Sequence, residues 1–296
     1  MDAHLLPDIL VFLKVARLGS ISKAADRLNM VQSNVTARMQ KLEQAVGVTL
    51  LRRHARGVKL TGGGEALLPL ALRLDALLSD LAYAFGGASA AGEAKLRLGA
   101  IETVAAVQLP ALVSEFLANS ARVDVTVQIG SSASLIKQVQ DDELDAAFVS
   151  RVPTQSNVRS EPVIADKLVA LVPKWVKTKS DLLAGCRNDL KILVQRLGCS
   201  YTERLLRFLD DHGCRPEHTM EIGTLEGIIG FVEAGVGIAA MPESFIRALL
   251  RKRKVGLLAL PKELASIRTF VIFSSNNDSR LTSDFLRHCR DAGTRH

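Results

Sequence analysis

Residues 20–43 read SISKAADRLNMVQSNVTARMQKLE, and apolar side chains recur in them at helical spacing in two sets: Ala24, Ala25 and Leu28, then Val35, Met39 and Leu42. Asn29-Met30-Val31 separates the sets by no more than a turn, so the pattern predicts two short helices, tightly joined. The second helix opens on small polar side chains, Gln32, Ser33, Asn34 and Thr36. Such short groups let a helix come close to another polar surface, and each can both donate and accept hydrogen bonds.

Upstream, Ile9, Phe12, Leu13 and Ala16 predict a first helix over residues 8–18, ended by Gly19. Downstream, residues 48–61, VTLLRRHARGVKLT, read as two short strands about a turn at His54-Ala55-Arg56-Gly57. Three helices with an attached hairpin make a winged helix-turn-helix, whose second motif helix enters the DNA major groove. In that docking Gln32, Ser33 and Thr36 face base edges. Arg38 is long enough for a base or a phosphate, and Arg52 and Arg53 suit the DNA backbone.

Charge supports this docking. Residues 23–59 carry Lys23, Arg27, Arg38, Lys41, Arg52, Arg53, Arg56 and Lys59 against Asp26 and Glu43 alone. Nearly all of the chain's net charge of +7 therefore lies in one segment. Positive charge concentrated beside a docking motif is the electrostatic footprint of a polyanion partner.

With 296 residues, 48% of them hydrophobic and 23% charged, the chain can bury about two cores. The amphipathic N-terminus bears Asp2 and lacks a basic n-region, which argues against a signal peptide. No apolar run approaches the ~20 residues of a membrane span, so the expected location is cytoplasmic, with no membrane partner. Cys186, Cys199, Cys214 and Cys289 form no CxxC pair and read as free thiols. The lone Cys214-x3-His218 spacing has no second ligand pair, so neither a metal nor another cofactor is expected.

After Thr61 and Gly62-Gly63-Gly64, residues 65–85 predict a long apolar helix. Leu67, Leu70, Leu74, Leu77 and Leu81, followed by Ala84, recur in alternating steps of three and four, as in a coiled-coil seam. A core helix shares this spacing, but the position between two domains, with no obvious neighbour in its own chain, favours dimerisation. Small residues at 86–94 then read as a flexible linker. Beyond them LRLGAI, VDVTVQIG, LDAAFVS, KILVQ, VGIAAM and RTFVIFSS alternate with helical segments. That texture predicts an α/β region with largely parallel sheets, divisible into two lobes about a cleft, with crossings near 165–172 and 256–271.

At this point the chain resembles the LysR-type transcriptional regulators. The likeness rests on GSISKAADRLNMVQSNVTARMQKLEQAVGVTLLRR and the linker helix, then LGAIETVAAVQLPALVSEF, ELDAAFV, GCSYTERLLRFL and EAGVGIAAMP, in that order. The resemblance implies an N-terminal winged helix-turn-helix (1–62), a linker dimerisation helix (63–87) and an α/β bilobed periplasmic-binding-protein-like effector domain (88–296). Lobe I takes about 95–166 and 268–296, and lobe II about 167–267. It also implies double-stranded operator DNA and a small-molecule effector, an anion among the options, as ligands. Further expected partners are a second copy in a dimer, a tetramer of such dimers, and RNA polymerase. Val31 departs from the family by standing where a serine commonly caps the recognition helix, leaving Asn29 or Ser33 for that role. Leu51 replaces a frequent phenylalanine, and the glycines after Thr61 are expected to loosen the linker helix's first turn.

Carried over residue by residue, the resemblance implies effector contacts at Glu102 and Thr103, Ser131 and Ser132, Ser150 and Arg151, and in the second lobe Arg196, Gly198, Cys199 and Thr224. These lie after strands, where α/β sheets place ligands. Hydroxyls and helix N-termini there suit a carboxylate that Arg151 or Arg196 could pair with. The same serines and threonines equally suit helix caps. Enzymatic function finds no support: GxSxG, HExxH and P-loop patterns are absent, and Gly235 in AGVGIAA follows a helix and precedes a strand, the reverse of a dinucleotide fingerprint. A cysteine-based redox-sensing regulator using Cys199 and Cys214 is the alternative. The helix expected between them separates the thiols well beyond disulfide reach. A purely architectural DNA binder would have no use for a bilobed domain.

Overall fold

The computed structural model describes residues 5–54, 57–85, 94–120, 123–154, 156–187, 190–195, 199–216, 218–249, 253–275 and 279–293. Three helices open the chain: α1 (Leu6–Leu18), α2 (Ile21–Arg27) and α3 (Gln32–Val46). Gly19 ends α1 in the left-handed conformation, and Ser20 caps α2 by accepting from the Lys23 N–H. Phe12, Val15, Ala24, Val35 and Leu42 are wholly buried where the three helices meet, as the two quoted apolar sets require. Neither Asn29 nor Ser33 caps α3. Asn29 instead takes the left-handed turn at φ 52°, and Val31 precedes the helix in extended conformation without a side-chain cap.

The wing pairs β1 (Leu51–His54) with β2 (Gly57–Leu60) antiparallel, while the tip of its turn, 55–56, lies outside the described residues. The hairpin docks on the turn after α1 through Val58 N–H to the Gly19 carbonyl, 2.8 Å. Glycine is needed at 57, where φ is 134° and a Cβ would lie 2.4 Å from that carbonyl oxygen.

Helix α4 (Gly62–Ala84) begins earlier than predicted and contains the glycines meant to weaken it. Thr61 caps it, and a Cβ at Gly64 would sit 2.2 Å from the Leu50 carbonyl oxygen, so the bare backbone seats the helix against the wing. The helix also has neighbours in its own chain, contrary to expectation. Leu67, Ala71 and Leu72 join the head core, and Ala82 and Tyr83 pack on the α/β half. Its other face leaves Leu70, Leu77, Leu81 and Phe85 exposed. The linker expected at 86–94 lies almost wholly outside the described residues.

Lobe I contains β3 (Ala94–Ala100), α5 (Glu102–Val107), α6 (Leu109–Ala118), β4 (Val123–Ile129), α7 (Ser132–Gln140) and β5 (Ala146–Val149). The 16-residue β6 (Val158–Pro173) then runs from this lobe into the next. Lobe II contains α8 (Lys179–Arg187), β7 (Lys191–Val194), α9 (Ser200–Asp210), β8 (Thr219–Glu221), α10 (Leu225–Glu233), β9 (Gly237–Pro242), α11 (Glu243–Leu249) and β10 (Val255–Ala259). The chain returns through α12 (Lys262–Ala265) and β11 (Ser266–Ser274) and ends in α13 (Arg280–Gly293).

The strand order is β4-β3-β5-β11-β6-β9-β7-β8, with β10 also on β6. β3 pairs parallel with β4 and β5, and β7 pairs parallel with β8 and β9, but β6 pairs antiparallel with β11, β9 and β10. The sheets are therefore mixed, because the chain leaves lobe I on β6 and comes back beside it on β11. Separate cores centre on Leu98, Phe148 and Phe285 in lobe I and on Leu168, Ile192 and Leu205 in lobe II. No helix among the described residues is long and apolar enough to cross a membrane.

Candidate nucleic-acid interface and interlobe site

On α3, Gln32 and Ser33 are exposed and Thr36 is half-buried, along the edge the sequence singled out. Ser22 donates to Gln32 Oε1 at 3.1 Å, which fixes the amide and leaves its N–H donors for another acceptor. Glu43 Oε1 accepts from the backbone N–H groups of Leu50 and Leu51, at 2.8 and 3.1 Å, and thereby sets the wing against α3.

Arg38 is placed differently from the expectation. Its Nη1 donates to Asp8 Oδ1 at 2.8 Å, and Lys41 Nζ lies 3.7 Å from Oδ2. Asp8 is only 2% exposed, so its charge needs these partners. Asp8 sits one and two helical turns before Phe12 and Val15, on the core-facing side of α1, and a carboxylate there was the overlooked signal for a counterion.

On the wing Arg52 is exposed, whereas the Arg53 side chain falls outside the described residues. The register sets Arg52 directly opposite Lys59, which is also exposed and which sequence reasoning did not select. Like charges opposed across a hairpin are unfavourable alone and become favourable against a polyanion.

Between the lobes, polar groups meet in pairs. Thr103, at the start of α5, is buried and hydrogen-bonds the Tyr201 hydroxyl of α9; burial pushes that phenol up to about 12. Gln195 donates to Glu102. Ser132 and Ser150 share a hydrogen bond of 3.2 Å, and Ser150 Oγ reaches Ser200 Oγ of lobe II at 3.5 Å. Gln108 Nε2 donates to Ser244 Oγ at 2.9 Å, which donates to Asp166 Oδ2 at 2.5 Å. Tyr201, Gln195, Ser200 and Ser244 were missed because their partners come from another lobe, and chain spacing holds no trace of that.

Of the other carried-over residues, Ser131 and Thr224 cap α7 and α10, accepting from the Ser134 and Gly227 N–H groups at 3.2 and 3.1 Å. Cys199 occupies the N-cap position of α9. Arg151 does not join the paired set. It lines an open groove of about 590 Å³ with Lys137, Gln140 and Asn157, beside α7. Arg196 and Gly198 lie outside the described residues.

Cys214 is buried, with its Sγ donating to the Leu183 carbonyl at 3.4 Å, and α9 stands between it and Cys199. Burial also pushes the Cys289 thiol up to about 12. Gly235, at φ 81°, follows α10 and precedes β9, the helix-then-strand order that excludes a dinucleotide turn.

Comparison with known proteins agrees with this architecture. Residues 6–65 match the bacterial regulatory helix-turn-helix protein, lysR family, and residues 89–294 match the LysR substrate binding domain. The HTH-type transcriptional regulator YofA of Bacillus subtilis (strain 168) is 37% identical over 278 residues, covering 94% of this chain and 94% of its own. A full-length single-residue variant of OxyR from Pseudomonas aeruginosa superposes with a TM-score of 0.70 at 19% identity, over 99% of this chain and 94% of that one. CbnR in complex with its target DNA superposes with a TM-score of 0.64 at 21% identity, over 99% of this chain and all of that one, 100%. The chain therefore belongs to the LysR family of transcriptional regulators, with a DNA-binding helix-turn-helix domain joined to an effector-binding domain.

Proposed function

We propose that this regulator binds a specific operator through α3 and the wing, and that a small molecule held between its lobes modulates that binding. The observation that carries the reading is the set of hydrogen bonds closing lobe I on lobe II, Thr103–Tyr201, Glu102–Gln195 and Ser150–Ser200. A ligand that replaces them changes the lobe angle at little cost, because each polar group exchanges one partner for another. The N-termini of α7, α9 and α10 favour an acidic group on that ligand, while Glu102 can accept from a donor on it.

On this reading residues 1–62 form the head, 63–87 the linker helix and 88–296 the effector domain. Gln32, Ser33 and Thr36 choose the sequence, while Arg52 and Lys59 hold phosphates. The exposed Leu70, Leu77 and Leu81 bind a second copy, and dimers pair into tetramers; RNA polymerase is the natural downstream partner, in the cytoplasm. CbnR, whose structure was solved with its target DNA, has the same fold, in keeping with this docking.

The test has two arms. Operators are selected from random duplexes with the full-length protein, and small metabolites are screened by thermal shift, since only a ligand preferring the folded state raises its stability. Metabolites that raise the melting temperature and alter operator affinity are expected. A ligand whose thermal shift survives intact in both Thr103→Val and Ser150→Ala would place the site elsewhere.

A further inference from the structure

The side of lobe I remote from its partner lobe is bound to α4 by a second polar cluster. Ser79 Oγ accepts from the Lys95 N–H at 2.5 Å and donates to the Lys95 carbonyl at 3.1 Å. Asp80 accepts from Ser279 Oγ at 2.6 Å and from the N–H groups of Arg280 and Leu281, both at 3.3 Å, so it caps α13 from outside. Tyr83 donates to Asp284 at 3.3 Å.

Behind these contacts Arg97 of β3 grips Asp145 with Nη2 to Oδ1 at 2.6 Å and Nε to Oδ2 at 3.2 Å. Arg97 Nη1 is buried without a partner among the described residues. Beside it lies a cavity of about 110 Å³ bordered by Arg73, Asp80, Asp142 and Ser279, room for about three waters at ~30 Å³ each. One turn before Ser79, on the same face of α4, Asp75 binds Arg17 of α1 at 3.3 Å, close enough to the cluster for the charges of Arg97 and Asp145 to act on Arg17. The charges thus run from the head, through α4, into lobe I.

Two strands carry this cluster to the lobe interface. β3 has Lys95 and Arg97 at its start and runs into Glu102 and Thr103 at its end. β5 starts after Asp145 and ends before Ser150. They pair in parallel, Leu98 with Ala146 and Ala100 with Phe148, so both have one end at α4 and the other at the cleft. At ~3.3 Å per residue, β3 spans roughly 20 Å.

We propose that β3 and β5 are the stiff connectors through which the closure of the lobes sets the seat of α4 and, through Arg17–Asp75, the angle of the DNA-binding head. This deepens the function proposed above and rests on its reading of the cleft. The heads and lobes then work as one jointed unit, with Ser79, Asp80 and Arg97 as positioning residues that touch neither DNA nor effector.

The test is a double-mutant cycle in the full-length protein, read as affinity for the selected operator without any effector. Ser200→Ala removes a closing contact and Asp80→Asn weakens the joint; Ser79→Ala replaces Asp80→Asn if the latter lowers the folded fraction. Sites this far apart with no shared partner ordinarily combine as the product of their single effects, within about twofold. Expected here is a departure from that product of about threefold or more, while Arg52→Gln with Ser200→Ala multiplies simply. A product within about twofold for both joint variants, including the case in which no variant changes affinity, overturns the proposal. Since no ligand is present, the result is independent of the thermal-shift screen, which alone decides whether the cleft binds an effector.

Discussion

Arg38→Met tests whether the recognition helix is held by an internal ion pair. The change keeps an unbranched stem for packing and removes the guanidinium that lies 2.8 Å from Asp8. Asp8, 2% exposed, is left with Lys41 Nζ at 3.7 Å. Removing one partner of a fully buried pair costs about 3–5 kcal/mol. Here the Arg38 side chain is 36% exposed and a second cation remains, so about half that figure, ~2 kcal/mol, is expected. For a unit the size of the head, at about 4–8 °C per kcal/mol, melting should fall by about 10 °C. Hydrogen exchange of α1 and α3 amides in the full-length protein, followed against temperature, reads this directly. Replacing both charges, as Asp8→Leu with Arg38→Met, should recover most of the loss, since no buried carboxylate then remains. Arg38→Met should also leave the salt dependence of operator binding unchanged, because a phosphate contact is worth about 0.9 in the slope of log K against log salt. Wild-type melting together with a slope shallower by about one would refute the reasoning and return Arg38 to the DNA.

Gln32→Ala should lower discrimination at one base pair by about 1–3 kcal/mol, read across operators substituted at each position. Arg52→Gln should weaken specific and random binding alike and flatten the salt slope by about one. Leu77, 62% exposed in the single chain, can accept Glu without loss of fold, so Leu77→Glu should abolish self-association in sedimentation; an unchanged oligomer would return that stripe to solvent. The raised Tyr201 and Cys289 values make stability fully present below the ordinary thiol value of 9.0 and progressively lost as pH climbs towards about 12, because the unfolded chain ionises first. Mass spectrometry of thiol labelling near neutral pH should find Cys199, partly accessible, reacting before the buried Cys214 and Cys289.

What could be read in the sequence was whatever repeats at a local period. Val35, Met39 and Leu42 gave α3 because a helix must bury one face, and the glycine after residue 18 gave its predecessor's end. The exposed edge at Gln32 and Ser33 followed from the same register. What depended on a distant partner was not legible. Arg38 looked free until Asp8 was found beneath it, and Gly64 looked weakening until Leu50 closed against it. Thr103 and Ser150 were marked from the family likeness, yet their partners Tyr201 and Ser200 come from the other lobe, beyond any spacing rule. Arg151 went astray for a related reason: the stretch after β5 carries it to the α7 groove instead of the paired set.

The pairing of β6 with β11 has a consequence for how this chain is made. Lobe I lacks a central strand until Ser266–Ser274 has been synthesised, and its core lacks Phe285 until later still. Lobe II, by contrast, is nearly contiguous and can assemble as it emerges from the ribosome. The nascent chain therefore carries β5 and the first half of β6 as open strand edges throughout the synthesis of lobe II, and such edges are templates for misassociation. A truncation just before residue 266 would make that interval permanent. The result would be a folded head and a folded second lobe flanking a sticky, unfinished first one, a species for proteases and chaperones to clear.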